Sequence, residues 1–238
     1  MQRVSLQPGY VIHQRDFKDS SRIIECYTQD YGRVALVAKG VRSSKKGFQY
    51  LLQPFLPLKL SWAGRGELPT LTHVEMNAAS SPHLQGKALF CGFYLNELIV
   101  RLTHRHDASP ELYQCYLEAL STLDQPDQEE PTLRRFEVQM LDILGYGLQL
   151  EVDGNGEPID PHQQYYYHVE TGPMTTPIPG IQHIPTSGET LLALSAGLPL
   201  ANEKQQQESR RLMRSVLQFH LGGKPLQSRR VYQQLFKS

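Results

Sequence analysis

Cysteine is scarce in this 238-residue chain: there are three, Cys26, Cys91 and Cys115, far apart and with no CxxC pair. That argues against a disulfide framework and against a cysteine-based zinc site, and leaves three small apolar thiols. No apolar run approaches the roughly 20 residues that span a bilayer. The opening Met1-Gln2-Arg3-Val4-Ser5 lacks the apolar core of a secretory signal, so a cytoplasmic protein is expected. Nucleotide-binding glycine loops are missing as well. Gly222-Gly223-Lys224-Pro225 has proline where a magnesium-holding Ser or Thr would stand, and Gln218 where the first glycine of a phosphate loop belongs. No Ser/His/Asp or Cys/His arrangement stands out. No catalytic residue, cofactor or metal ligand is therefore nominated.

Net charge is also absent, but only in the sum. Residues 1–80 hold eleven Lys/Arg against six Asp/Glu, residues 81–208 hold six against eighteen, and residues 209–238 hold seven against none. Two basic ends flank an acidic middle. Such segregation points to an anionic partner, nucleic acid first, unless the basic tail pairs with the acidic middle inside the fold.

Apolar alternation predicts five short strands in the first 80 residues: 9–13, 22–28, 33–38, 55–62 and 68–75, with Asp30-Tyr31-Gly32 and Gly64-Arg65-Gly66 as turns. Five strands in so short a span suit a small closed barrel, and the OB-fold, a common oligonucleotide binder, leads. The period then changes to helical. An apolar helix is expected over 88–102, and a second from Ser109-Pro110, an N-cap followed by proline at N1. A third opens at Pro131 and closes at Gly145, a long one begins at Asn202 and ends at Gly222-Gly223, and Ser228 is expected to cap a last short helix. Between them, 146–187 is rich in Gly and Pro, with a strand at 165–169 in a small hairpin. The expected class is α+β: an OB-fold domain over 1–79, then a helical domain over 80–238 that contains this irregular hairpin region.

The sharpest local feature is a basic loop carrying Lys39, Arg42, Lys45 and Lys46 among glycine and serine. Flexible cations beside a sheet are suited to phosphate contact, and Arg15, Lys18, Arg22, Arg33 and Arg65 widen the patch. Tyr10, Phe17, Tyr27, Tyr31 and Trp62 are candidate base-stacking surfaces, although most strand aromatics belong to cores. His104-Arg105-His106-Asp107 resembles part of a metal site, yet no further ligands stand at suitable spacing, which favours surface histidines at a helix end. Arg134 and Arg135 sit in Leu133-Arg134-Arg135-Phe136-Glu137. Ordinary surface arginine is the plainer reading of the two. The alternative is a cation beside an apolar groove, fit for a peptide that ends in acidic residues, a hydrophobic side chain and a free carboxylate.

Taken in order, several segments resemble the RecO family of DNA repair proteins. They are Gly32-Arg33-Val34 running into Val37-Ala38-Lys39-Gly40-Val41-Arg42, then Leu52-Gln53-Pro54-Phe55 and Gly64-Arg65-Gly66-Glu67-Leu68. Tyr94-Leu95-Asn96-Glu97-Leu98, Leu133-Arg134-Arg135-Phe136-Glu137 and Leu144-Gly145-Tyr146-Gly147 follow. Leu221-Gly222-Gly223-Lys224-Pro225-Leu226 with Ser228-Arg229 completes the set. The resemblance implies an OB-fold, a helical bundle and no enzymatic activity. It implies binding of single- and double-stranded DNA, annealing of complementary strands, and work with RecR to load RecA onto strands covered by single-strand-binding protein. The acidic C-terminal tail of that protein is implied as a partner, with Arg134 at the expected contact. Many family members carry a four-cysteine zinc module after the Leu-Gly-Tyr segment. Here that region has no cysteine, so a metal-free remnant held by hairpin packing is expected. Two rival readings are an RNA-binding or ribosome-associated OB protein, and a hydrolase using His104, His106 and Asp107.

Overall fold

The computed structural model describes residues 2–41, 50–77 and 82–236, and the chain forms two compact units, Met1–Pro126 with Leu226–Ser238, and Asp127–Pro225. The first unit begins with β1 (Gln2–Phe17), β2 (Ser21–Thr28), β3 (Gly32–Ala38), β4 (Leu58–Gly64) and β5 (Thr70–Met76). They close into a barrel in the order β1-β2-β3-β5-β4. All pairings are antiparallel except β3 with β5, where Val37 lies opposite Thr70 and the Val37 N–H donates to the Pro69 carbonyl at 2.9 Å. That connectivity is the OB-fold.

β1 is much longer than the expected 9–13. Closure demands it: residues 2–9 pair with β4 and residues 9–17 with β2. The strand bends where its register slips between Val4 and Gln7. There Leu6 takes φ 51° and its N–H donates to Ser61 Oγ at 2.9 Å. A bulge of this kind turns a strand around a barrel rim. Alternate residues fill the interior, among them Val11, Ile24, Val34, Leu36, Leu58, Leu60 and Trp62. The turn into β3 needs Gly32, which has φ 61° and whose added Cβ would lie 2.1 Å from the Asp107 carbonyl oxygen.

Three helices belong to this unit: α1 (Gly86–Leu102), α2 (Pro110–Leu123) and α6 (Gln227–Phe236). The switch from strand to helix falls after Met76, but compaction groups these helices with the barrel rather than with the rest of 80–238. α2 starts as expected, with Ser109 Oγ accepting the Leu112 N–H at 3.2 Å. The cap of α6 differs from expectation. Ser228 does not accept from the helix; it donates, through N–H and Oγ, to Glu97 Oε2 at 2.8 and 2.7 Å, while the Gln227 N–H donates to Glu97 Oε1 at 2.8 Å. A carboxylate on α1 thus satisfies the free amides and complements the positive end of α6.

The second unit holds α3 (Glu129–Ile143), β6 (Gln164–His168), β7 (Gly172–Met174), β8 (Ile184–Ser187), α4 (Gly188–Ser195) and α5 (Glu203–His220). The expected hairpin is a three-stranded antiparallel sheet, order β7-β6-β8. Asn202 caps α5 by accepting the Gln205 N–H at 3.0 Å. Glu208, only 3 % exposed, ties β8, α4 and α5 together: its Oε2 accepts the Ser187 N–H at 3.0 Å, Ser187 Oγ–H at 2.6 Å and Thr190 Oγ–H at 2.7 Å. Burial alone raises a carboxyl pKa, but these bonds, aided by Lys204, outweigh it and hold Glu208 below its ordinary value. In the cysteine-free stretch after Leu144-Gly145-Tyr146, Asp153 closes a tight turn by accepting the Asn155 and Glu157 N–H groups at 2.8 and 3.0 Å. No described helix is long and apolar enough to cross a membrane.

Candidate functional site

Strand register brings two of the barrel cations, Arg15 and Lys39, to one end. Arg15 lies opposite Ile23, Ile23 opposite Val37, Val37 opposite Thr70, and Thr70 opposite Ala63. Lys39 stands two residues beyond Val37, at the rim of Arg15, whereas Arg65 follows Gly64, which lies opposite Gln2, and so stands at the other end of β1 from Arg15. All three are exposed, and none has an acidic partner among the described residues. Arg22 is half-buried and tied to Asp16 Oδ1 and Gln14 Oε1, both at 3.2 Å. Arg42, Lys45 and Lys46 lie outside the described residues.

Arg33 points elsewhere. Its Nη2 donates to the Thr103 carbonyl at 2.8 Å, and its Nη1 lies 3.7 Å from Glu25 Oε2. Burial lowers its pKa, with Glu25 opposing that shift and Arg105 adding to it. Arg105 also pairs with Glu25, and the His106 N–H donates to the Arg33 carbonyl at 2.9 Å. The segment His104–Asp107 therefore straps the end of α1 to β3, a structural role. Among the described residues no three His, Cys, Asp or Glu side chains are grouped to hold a metal ion.

Most of the candidate aromatics are buried, as strand aromatics usually are. Trp62 is inside the barrel, with half-buried Tyr31 edge-on against it at 5.3 Å between centroids. Tyr10 and Tyr27 pair on the outer barrel surface, but α2 covers them: both rings pack on Tyr116, at 5.5 and 5.7 Å, and on Tyr113, at 6.4 and 5.5 Å. Burial pushes all four phenols above their ordinary pKa. None of Tyr10, Tyr27 and Trp62 presents a free face to a base. Phe17 is half-buried, with the Lys18 ammonium 5.3 Å from its centroid.

The second unit carries a cavity of about 80 Å³ between α3, α4 and the α4–α5 linker. Pro131, Leu194, Leu198, Pro199 and Leu200 give it apolar walls, and Arg134 and Arg135 line one side. The Arg134 side chain is 14 % exposed; its Nη1 lies 2.8 Å from Glu137 Oε2, and its Nε has no hydrogen-bond partner. Arg135 is exposed. On the rim, Arg210 pairs with Glu130 at 2.6 Å. A small apolar pocket beside two guanidiniums can take a hydrophobic side chain and an adjoining carboxylate together. Neither α4 nor Leu198 was foreseen. α4 is only 8 residues long and lies in a stretch with weak periodicity, and a Leu-Pro-Leu linker reads simply as loop.

Comparison with known proteins adds a family. Residues 1–79 match the model "Recombination protein O N terminal", and residues 83–230 match "Recombination protein O C terminal". Among curated relatives, DNA repair protein RecO of Aromatoleum aromaticum is 42% identical over 98% of this chain and 97% of its own length. The proteins of the same name from Halorhodospira halophila and Nitrosococcus oceani are 45% and 44% identical, over 96% and 98% of this chain and 97% and 94% of their own lengths.

Proposed function

Since the chain belongs to the RecO family, and so to DNA repair and recombination, we propose that it is a non-enzymatic mediator that binds single- and double-stranded DNA, anneals complementary strands, and with RecR loads RecA. The barrel rim with Arg15 and Lys39, extended by Arg22, Arg42, Lys45 and Lys46, neutralises phosphates and so lowers the repulsion between two strands brought together, with Arg65 a further phosphate contact at the other end of the barrel. The pocket beside Arg134 and Arg135 takes the acidic C-terminal tail of single-strand-binding protein. Holding that tail raises the local concentration of barrel and coated DNA, which replaces what a catalytic group does in an enzyme. The protein then works at the nucleoid.

The observation that carries this reading is the pocket: apolar walls with a largely buried guanidinium whose Nε is unused. The test is annealing of two complementary oligonucleotides coated with single-strand-binding protein, across a salt series. Salt-sensitive acceleration that disappears with a tail-less partner is expected. Arg134→Ala is expected to lose acceleration on coated DNA while retaining affinity for naked DNA. If it loses naked-DNA binding equally, the division of labour is wrong. No acceleration by the unaltered protein, with nucleic-acid binding intact, returns the RNA-binding reading to first place.

A further inference from the structure

Glu130 is out of keeping with the pocket of the second unit. Arg134 and Arg135 line that pocket and suit a carboxylate, yet a carboxylate of the chain itself stands in the same wall. Glu130 and Arg134 are four residues apart on α3, so their side chains are neighbours on one face of the helix. The acid is on the N-terminal side, the order that favours an ion pair. The pairs recorded are different ones: Arg134 with Glu137 at 2.8 Å, and Glu130 with Arg210 at 2.6 Å.

Arg210 comes from α5. Its Nε donates to Glu130 Oε1, and its Nη2 donates to Gln206 Oε1 at 3.3 Å, one turn back on its own helix. Gln206 and Glu130 both line the cavity, and Arg210 itself does not. The guanidinium is therefore held at the rim by two lining residues. Its side chain is 48% exposed and that of Glu130 32%, so the pair adds little to stability. What it changes is charge. Arg134, Arg135 and Arg210 carry three positive charges, against two negative ones on Glu130 and Glu137. One positive charge is left over for a ligand, and without Arg210 none is. An unheld Glu130 can also turn onto Arg134 and occupy it. Arg211 and Arg214 of the same helix are exposed and have no acidic partner among the described residues.

We propose that Arg210 is a positioning residue for the pocket: it holds Glu130 off Arg134 and cancels its charge, so that the pocket admits acidic peptide ends. The proposal rests on the reading of this pocket as a peptide-tail site and adds the device that sets its charge preference. Glu130 makes that preference conditional. Paired, it is silent; unpaired, it repels the ligand's carboxylates and competes with them for Arg134.

The test is fluorescence anisotropy with the full chain and a short labelled peptide of aspartates ending in a phenylalanine with a free carboxylate, across a salt series. Arg210→Gln is expected to bind about fivefold more weakly at low salt, with the loss fading as salt screens the bared carboxylate. Glu130→Gln should bind at least as tightly as the unaltered protein. Glu130→Gln/Arg210→Gln should return to within about twofold of it, because the repelling group is gone. Arg211→Gln, about 100° round the helix, removes the same charge without touching Glu130 and should leave affinity within about twofold. Melting temperatures of all four variants should stay within a few degrees of the unaltered protein, roughly as expected for an exposed pair. A double variant as weak as Arg210→Gln would mean that Arg210 touches the peptide itself, and the masking role is wrong. Equal losses in Arg210→Gln and Arg211→Gln, a loss that does not fade with salt, or no loss at all would also overturn it, while the pocket reading stands. If the unaltered protein does not bind the peptide, or Arg134→Ala binds it equally well, the pocket reading fails and the proposal falls with it.

Discussion

Glu208 gives the sharpest test of how the second unit holds its pocket in shape. Its Oε2 alone accepts all three bonds from Ser187 and Thr190, while Oε1 lies 3.8 Å from Lys204. Glu208→Gln can therefore keep a carbonyl oxygen at the crowded position and turn its NH₂ toward the Lys204 side. What is lost is charge, and charge-assisted bonds are about twice as strong as neutral ones, so the cost should be about 1.5 kcal/mol. Glu208→Ala removes the acceptor altogether. Ser187 Oγ and Thr190 Oγ lie 2.9 Å apart and can satisfy one donor between them. The Ser187 N–H and one hydroxyl remain, at 1–3 kcal/mol each, for a loss of about 3–4 kcal/mol. In a unit of about 100 residues that lowers the melting temperature by about 15 °C.

The pH dependence has a definite sign. The Glu208 carboxyl is held below its ordinary value, so the unfolded chain takes up its proton first as the solution is acidified. Its stabilisation is complete above the unfolded glutamate value near about 4.3 and is lost as pH falls through the lower folded value. Urea unfolding of the three proteins, at pH 7 and at steps below pH 4.5, reads this directly. The gap between the natural protein and Glu208→Gln should narrow in acid. A gap that widens in acid, or an alanine variant that costs under about 1 kcal/mol, would refute the reasoning. Because α4 supplies Ala193 and Leu194 to the pocket wall, the alanine variant should also weaken peptide binding there.

Three other perturbations test the first unit. Gly32→Ala meets the Asp107 carbonyl at 2.1 Å in a left-handed backbone and should cost at least about 2 kcal/mol in denaturant unfolding; a neutral result would mean that the 104–107 strap is not held there. Glu97→Ala should release α6, seen as faster amide hydrogen exchange across 227–236 with the barrel amides unchanged, since three donors at the N-terminus of α6 lose their acceptor. Changing Arg15 and Lys39 together to glutamine should lower the salt slope of single-strand binding by about 1.4, at roughly 0.7 per phosphate, and an unchanged slope would remove this rim from the DNA contact.

Legibility in the sequence followed the range of the interactions. β2 and β3 were readable because alternation over seven or eight residues reports burial on one face. α2 and α5 were readable because Ser109 and Asn202 cap their own chain within a few residues. β1 exceeds the expected 9–13 because barrel closure needs one strand to serve two partners. The α6 cap was misassigned because its acceptor, Glu97, is 130 residues away from Gln227. Tyr10 and Tyr27 show the same limit: alternation tells which face of a strand a ring occupies, not that α2 will lie over that face. In the pocket, Arg134 and Arg135 were visible as a pair, but Leu194 and Leu198 reach them only through the fold of 146–200.

The segregated charge raises the question of whether the basic tail simply cancels the acidic middle, and the recorded pairings argue that it does not. Glu97 meets the tail through backbone N–H groups and Ser228 of α6. Glu137 is paired with Arg134 of its own helix, and Glu208 with hydroxyls. Glu130 reaches a tail arginine, Arg210, at the rim of the pocket. The acids are thus spent on holding elements together, where a buried or capping carboxylate is worth most, while Arg211 and Arg214 stay in water with their charge uncompensated. Exposed pairs are worth little to stability, so leaving these two arginines unpaired costs the fold almost nothing and keeps their charge available to an anionic partner.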